Sequence, residues 1–460
     1  MELATLCGAT APDGAADARI DDHAKVVIDS RQVAPGDLFV ALKGPHHDAH
    51  RFLNDVWRSG AAAAIVDREV PVPEGRWALQ VEDTEAALRR LAAGYRSGFD
   101  IPVAAITGSC GKTTTKEMVR QILARDRHAL ITQGNLNNQI GLPLTLLGLR
   151  PEHDLCVVEM GVNHPGEIDE LCALSAPTVG LVTGIGAAHL EGLGDAEGVA
   201  REKGRLFAAL GAGGTAVVNL DDPRVVDQAE QYPCGRRITY TSHPETDADV
   251  SVTLVEEVGE GANAALGVAG ISVPIRIFSA APYQLQNAAA AAALCHALGV
   301  AAEAIAAGLA AFSPLPMRGQ EVLLKSGARV IDDTYNANPV SMMAALSALA
   351  AIDTPGRRIA VLGDMLELGE GAAGLHRELG QHIPELGISK LICVGTLARE
   401  IATAAQGLDE VHTVERPDAA LPLLNDLRDG DVVLVKGSRG LAMETIVQHL
   451  THPSDVEAVA

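Results

Sequence analysis

The sequence predicts an α/β protein in three units, the largest built on a doubly wound parallel sheet. Three observations predict it. At 460 residues the chain is too long for a single core. Short continuous apolar runs recur and alternate with helical patterns, as in parallel sheets covered on both faces. One such run ends in a glycine-bracketed turn that passes directly into a helical pattern, "AAITGSCGKTTTKEM" at residues 104–118.

The first unit, residues 1–82, holds four short strand-like runs: "KVVIDSRQ", "DLFVAL", "AAAAIVDR" and "WALQVED". Glycine and proline turns separate them. They predict a small α/β domain with one long loop, "KGPHHDAHRF". The second unit, residues 83–313, opens on a helical stretch, "TEAALRRLAAGYR". Its runs "PVAAIT", "DLCVVEM", "TVGLVTGI" and "GTAVVNL" predict buried parallel strands. "ADVSVTLVEE" and "AALGVAGISVPIRIFS" predict an antiparallel appendage. "NAAAAAALCHALGVAAEAIAAGLAAF" is broken by His296, Gly299, Glu303 and Gly308, so it predicts two alanine-rich core helices and not a membrane span. "SPLPMRGQ" reads as a hinge. In the third unit, residues 314–460, "ARVIDDTY", "RRIAVLGD", "KLICVG" and "DVVLVKG" alternate with helices and predict a Rossmann-like domain. It lacks a G-x-G-x-x-G, so no dinucleotide is assigned to it.

Composition narrows the function. Apolar residues make up 47% of the chain and aromatics only 3%, so alanine, leucine and valine must fill the cores. Stacking platforms for single-stranded nucleic acid are not expected. A net charge of −23 argues against nucleic acid and anionic membranes as partners. Bound phosphates must therefore be held by local donors. The seven cysteines form no C-x-x-C pair, which predicts reduced thiols, neither zinc cage nor disulfide frame, and a cytosolic protein. The first residues lack the basic-then-apolar pattern of a signal peptide.

The glycine turn carries chemistry. Gly108, Ser109, Cys110, Gly111, Lys112, Thr113 and Thr114 lie between a strand and a helix. Glycines let backbone N–H groups turn toward an anion, and the new helix adds its positive end. Lys112 would reach the β- and γ-phosphates, and the Thr113 hydroxyl would bind Mg²⁺. The central unit is thus a P-loop ATPase-type sheet. The loop is the shorter T-G-x-x-G-K-T form, with Ile106 where the general pattern has glycine. Motors, switches, kinases and ligases all use such a loop, so it names no reaction. Glu159 ends a strand in "CVVEMGVNHPGEI" and is a candidate Mg²⁺ carboxylate. His189, just past another strand end, is a candidate second ligand. Lys203 in "VAREKGRLFAAL" reads, from spacing alone, as a solvated or salt-bridged lysine between Glu202 and Arg205. "QGNLNNQIGLP" at residues 133–143 is either a capped turn or a set of amides for sugar hydroxyls.

Taken in order, T-G-S-C-G-K-T-T, N-L-N-N-Q-I-G-L-P, E-M-G, G-x-x-x-H and E-K-G resemble the Mur ligase family across nearly the whole chain. Those ATP-dependent enzymes extend the peptide of the bacterial cell-wall precursor. The resemblance implies a UDP-substrate domain, an ATPase domain and a Rossmann-like amino-acid domain, in that order. "VIDDTYNANP" and "LGDMLELG", with His376 following, resemble the branch that acts last in the series. That implies UDP-N-acetylmuramoyl-tripeptide and D-alanyl-D-alanine as substrates. No D-N-P-R type motif of the diaminopimelate-adding branch is present.

Site residues follow from the same resemblance. Lys203 is expected to be carbamylated, which turns a cation into a carboxylate able to hold a second Mg²⁺. Thr113, Glu159, His189 and Lys203 form the implied metal set. Asn287, in a "YQLQNAAAA" that keeps only part of the family's H-N-x-x-N-A, is an expected nucleotide contact, as are Arg318 and Asp333 from across the hinge. Gln284 offers an amide in place of the family asparagine. Ser30, Arg31, Asp48 and His50 are the expected UDP-substrate contacts, joined by Asn137 and Asn138. Phe52 completes a D-G-H-x-F-like pattern, with Ala49 for its glycine, and is expected in the core. Asn336 and Asn338 are expected at the dipeptide, with "KGSRG" at residues 436–440 nearby.

The implied chemistry activates the tripeptide carboxylate as an acyl phosphate, which the dipeptide amine then attacks. The protein is expected to act as a monomer. Two alternatives compete: a related Mur-type or polyglutamate ligase with another amino-acid substrate, and a nucleotide-dependent switch that has lost catalysis. The third unit's motifs favour the dipeptide, and the presence of Glu159, His189 and Lys203 argues against the switch.

Overall fold

Three sheets of four, nine and six strands follow one another along the chain. The computed structural model describes residues 3–9, 24–45, 47–258 and 261–452. In the first sheet Val26–Val27, Leu38–Val40, Ala63–Val66 and Trp77–Gln80 pair in parallel, in chain order. The predicted long loop is partly helical, because Asp48 accepts from His50 N and caps a 3₁₀ turn, Ala49–Phe52. Phe52 is not in the core: it is 39% exposed. The three-residue repeat of the turn buries His50 and carries Phe52 off the buried side. Leu53, Val56 and Trp57 of the following helix fill the core instead.

The helix Thr84–Arg96 begins at Asp83, whose carboxylate accepts from Glu85 N and Ala86 N. It serves two cores. Ala87, Leu88 and Leu91 pack with the first sheet, and Ala92 packs under the second.

The nine-stranded sheet places Val103–Thr107 between Leu155–Glu159 and Val179–Val182, all parallel. Ala129–Ile131 closes one edge. On the other side come Thr215–Asn219, Arg236–Thr241 and Val250–Val258, still parallel. The last two strands, Gly261–Val268 and Ile271–Ile277, are antiparallel to their neighbours. The predicted appendage is therefore an extension of the same sheet. Its Ala262, Ala264 and Leu266 are buried in one continuous core with the alanine-rich helix Pro282–Ala297. That helix is buried at every position from Ala288 to Cys295, which is why its sequence shows no polar face.

The six-stranded sheet has parallel strands Arg329–Asp333, Val432–Lys436, Arg358–Gly363, Lys390–Val394 and Val411–Val414. Gln320–Leu323 adds an antiparallel edge. Among the described residues, no helix is long and apolar enough to cross a membrane.

This topology fixes where a ligand can sit. From Val103–Thr107 the chain takes one neighbour on each side, so a crevice opens at the carboxyl ends of three adjacent strands. The glycine turn, Glu159 and Thr183 all stand there.

Candidate functional site

The turn after Val103–Thr107 is bolted to the next strand's end. Ser109 N donates to Gly184 O at 2.8 Å, and Gly186 N donates to Ser109 Oγ at 3.0 Å. Thr183 Oγ1 donates to Cys110 O. Gly111 has φ +80, and a Cβ there would lie 2.3 Å from Asn287 Oδ1. Gly108 has φ +149, and a Cβ there would lie 1.9 Å from Thr183 Oγ1. Only glycine fits either place. Gly111 also begins the helix Lys112–Leu123 with no side-chain cap, so its first N–H groups face the cavity free to bind an anion. Lys112 Nζ folds back on Gly108 O at 2.7 Å, and burial pulls its ammonium below the ordinary lysine range. An arriving phosphate offers it a stronger, charged acceptor.

Glu159 is buried at the neighbouring strand end. Its Oε1 accepts from Thr113 Oγ1 at 3.1 Å and from Asn137 Nδ2 at 2.8 Å. Its Oε2 accepts no hydrogen bond, although Lys116 Nζ lies 3.5 Å away. A hydroxyl and a carboxylate oxygen with a free lone pair, next to a phosphate loop, suit Mg²⁺. Among the described residues no cluster of three or more His, Cys, Asp and Glu side chains forms a complete metal cage.

Lys203 is not the solvated lysine its spacing suggests. It is fully buried, and its Nζ has no hydrogen-bond partner. Neither flanking charge serves it. Glu202 accepts from Gly166 N and Ile168 N, both at 2.8 Å, and so caps the helix Glu167–Ser175. Arg205 pairs with Asp169 at the surface, 2.9 Å away. Burial, helped by the positive charge of Lys112, pulls the Lys203 amine down to about 7. His189 lies at φ +55, and its Nδ1 is 2.7 Å from Glu367 Oε2 of the third unit.

The phosphate loop, Glu159 and His189 line a cavity of about 330 Å³, and Lys203 is not among its lining residues. Gly111, Lys112, Thr113, Glu159 and His189 come from the central unit, and Asn287 from the start of its alanine-rich helix. Arg318, Asp333, Asn336 and Asn338 come from the third unit. Arg318 stacks over the Tyr335 ring at 3.8 Å. Asp333 is paired with buried Lys436 at 2.6 Å. Asn338 caps the helix Pro339–Ala351, and its Nδ2 donates to Ser109 O at 3.2 Å, a direct bond between the two units. Asn138 is also a cap, accepting from Gly141 N at 2.9 Å. The capped-turn reading of the asparagine run therefore applies to Asn138, while Asn137 is bonded to Glu159.

The expected UDP contacts of the first unit are not among the residues lining this cavity. Arg31 is exposed and paired with Asp29 at 2.7 Å beside Ser30. His50 differs from expectation. Its side chain is buried, Nδ1 meets Asp48 at 2.7 Å and Nε2 accepts from Asp67 N at 3.1 Å. Both ring nitrogens are engaged, and Asp48 is also held by Arg68 at 2.6 Å. The pair shapes the loop from within. His376 is likewise internal: Nε2 accepts from Met365 N at 2.9 Å, and burial holds its pKa below the ordinary histidine range.

Sequence reasoning missed Lys116, Thr183, Tyr335 and Glu367. Lys116 stands one turn beyond Lys112 and shares its helix face, a spacing that could have flagged it. The others reach the site only through tertiary contacts.

A phosphate loop at the switch point of a doubly wound sheet, faced by a second Rossmann-like unit, defines a nucleotide-binding α/β protein. Residues 106–295 match the Mur ligase middle domain, and residues 317–439 match the Mur ligase glutamate ligase domain. UDP-N-acetylmuramoyl-tripeptide–D-alanyl-D-alanine ligase of Escherichia coli (strain K12) is 39% identical over 430 residues, covering 92% of this chain and 93% of the relative. The Bacillus subtilis (strain 168) protein of that name is 35% identical, covering 92% of each. A crystal structure of MurF from Acinetobacter baumannii superposes with TM-score 0.86 at 34% identity, covering 98% of this chain and 97% of that one. MurF from Thermotoga maritima, in complex with ADP, gives 0.81 at 29%, covering 93% and 97%. The chain belongs to the Mur ligase family.

Proposed function

We propose that this chain is the ATP-dependent ligase that joins D-alanyl-D-alanine to UDP-N-acetylmuramoyl-tripeptide in peptidoglycan precursor synthesis. The relatives of that name support it, at 31–39% identity over most of the chain. The observation that carries the mechanism is the cavity itself, where a phosphate loop with Lys112 and a buried carboxylate, Glu159, meet a wall from a second domain. Residues 1–82 are assigned to the UDP-substrate, 83–313 to ATP, and 314–460 to the amino-acid substrate. The likeness to a folylpolyglutamate synthase, at 18% identity, speaks to fold alone and gives the polyglutamate alternative no support.

In this reading the tripeptide carboxylate attacks the γ-phosphorus of ATP, giving an acyl phosphate and ADP. The dipeptide amine then attacks the acyl carbon. The amide forms, phosphate leaves with the carboxylate-derived oxygen, and the amine sheds a proton. Two anions must meet in the first step. Lys112 and the free N–H groups of its helix hold the phosphate side. Arg318 and Asp333 grip the nucleotide from across the hinge, beside Asn287. Thr113 and Glu159 would hold one Mg²⁺, and His189 with carbamylated Lys203 a second. Bound there, Mg²⁺ would neutralise phosphate oxygens. Carbamylation needs a neutral amine, which the depressed Lys203 supplies near neutral pH. The carbamate would turn an unpaired buried cation into an anionic ligand. Closure of the third unit would keep water from the acyl phosphate. Ser30 and Arg31 are assigned to the diphosphate, Asn137 and Asn138 to the edge nearest the tripeptide. We assign the working form to a monomer in the cytoplasm.

Phosphate release tests the reading. ATP is supplied with the UDP-tripeptide carrying either meso-diaminopimelate or lysine, with and without D-Ala-D-Ala. Stoichiometric phosphate and amide, dependent on the dipeptide, are expected with one of the two. Phosphate release indifferent to both substrates would overturn it.

A further inference from the structure

Lys116 lies on the phosphate-loop helix, one turn beyond Lys112, and takes no part in the steps above. Its side chain is wholly buried. A buried ammonium needs partners, and this one has three, each on a different element. Nζ donates to Gly134 O in the asparagine-rich turn at 3.0 Å. It lies 3.1 Å from Glu117 Oε1 on its own helix and 3.5 Å from Glu159 Oε2 at the neighbouring strand end. Glu117 already has a cation. Its Oε2 accepts from Arg120 Nε at 2.8 Å, and Arg120 Nη2 donates onward to Thr132 O at 3.0 Å. Lys116 and Arg120 therefore stand against Glu117 and Glu159, two formal charges against two. Lys112, also near Glu159, is turned onto Gly108 O and belongs to the phosphate side.

The Glu159 oxygen beside Lys116 is the one that accepts no hydrogen bond. A cation bound to it meets a fixed positive charge as its neighbour. In a buried cluster such repulsion is worth about tenfold or more in affinity, even with strong screening. We propose that Lys116 is a positioning residue that sets the metal affinity of the Glu159 site. It balances and aims the carboxylate before nucleotide arrives, and it opposes a divalent cation there. Phosphate oxygens supply the negative charge that outweighs it, so the metal is held with the nucleotide and not ahead of it. The inference rests on the reading of Thr113 and Glu159 as an Mg²⁺ site.

The test is equilibrium binding of Mn²⁺, with the free ion read by electron paramagnetic resonance and no turnover. CO₂-free buffer keeps Lys203 free of carbamate. Two residues that are not metal ligands should shift affinity in opposite directions. Lys116→Gln keeps an amide donor for Gly134 O and removes the charge, so it should bind Mn²⁺ alone about tenfold more tightly than wild type. Glu117 is half-buried, and Glu117→Gln leaves Lys116 and Arg120 facing Glu159 alone. That variant should bind Mn²⁺ in the presence of ADP several-fold more weakly than wild type. A merely structural role for Lys116 would lower affinity in both. Unchanged or reduced Mn²⁺ affinity in folded Lys116→Gln overturns the proposal. So does wild-type affinity in Glu117→Gln, which decides the matter if Lys116→Gln does not fold. Wild-type Mn²⁺ binding by Glu159→Gln overturns the Mg²⁺ reading and this proposal with it, and leaves the ligase reading to the phosphate-release test.

Discussion

Lys203 Nζ lies in the protein interior without a hydrogen bond, while the carboxylate next to it in sequence is taken up by a helix terminus. An ammonium there is costly, so its pKa falls from 10.5 to about 7. The consequence for stability has a definite sign. Between about 7 and 10.5 the unfolded chain holds one more proton at this lysine than the folded chain does. Stability should therefore rise with pH through that window, and the contribution is least below pH 7. In CO₂-free buffer, Lys203→Met should flatten the rise and melt higher than wild type at pH 6. With CO₂ present, Lys203→Ala should lose most ligase activity and regain part of it with added short-chain carboxylates. A variant with wild-type turnover would remove the carbamate from the account. Lys112→Ala should lower turnover by about 10²-fold or more, since a preorganised charge at the transferring phosphate is lost; steady-state rates at saturating ATP check this. Lys112 was legible because its glycine neighbours and helix follow a pattern with a physical cause. The burial of Lys203 was not, since flanking Glu202 and Arg205 look like partners, and only the fold turns them toward Gly166 and Asp169.

The helix Lys112–Leu123 and the alanine-rich helix Pro282–Ala297 meet at the phosphate loop through Gly111 and Asn287. Gly111→Ala should weaken nucleotide binding sharply. It puts a methyl 2.3 Å from Asn287 Oδ1 at a backbone angle only glycine adopts freely. Isothermal titration with ADP measures the loss, and near-native affinity would contradict the geometry. At the opposite wall, Asn338→Ala should cost about 1 kcal/mol of stability through the lost helix cap, read from chemical denaturation. It should also raise the KM for ATP, because the bond to Ser109 O goes with it. The central strands were readable from their unbroken apolar runs, and the alanine helices from their length. The antiparallel strands were legible as an appendage but not as a continuation of the nine-stranded sheet, because alternation within a strand does not reveal which sheet edge it joins. The edge strands Gln320–Leu323 and Val411–Val414 are short and half exposed, so they carry little apolar signal.

At the scale of the molecule, the central and third units meet around the cavity through polar bonds, Asn338 to Ser109, His189 to Glu367 and Glu191 N to Glu367 O, and through Leu190, which packs against the third unit's core. Such contacts are modest in strength and easily remade, as a site that admits three substrates requires. The first unit is tied differently. Its core continues through the helix Thr84–Arg96 into the central core. The three-unit plan was legible from length and alternation. Arg318 and Asp333 were expected at the nucleotide only through the family resemblance, and the contact of Glu367 was not expected at all, because that residue lies 178 residues from His189 in sequence. The central claim is that the cavity makes an acyl phosphate and passes it to an amine. Oxygen-18 in the terminal carboxylate of the UDP-tripeptide tests this most directly, with the released phosphate read by mass spectrometry. One labelled oxygen per phosphate, matched to one amide formed, is the predicted result. Unlabelled phosphate accompanying amide formation would contradict it.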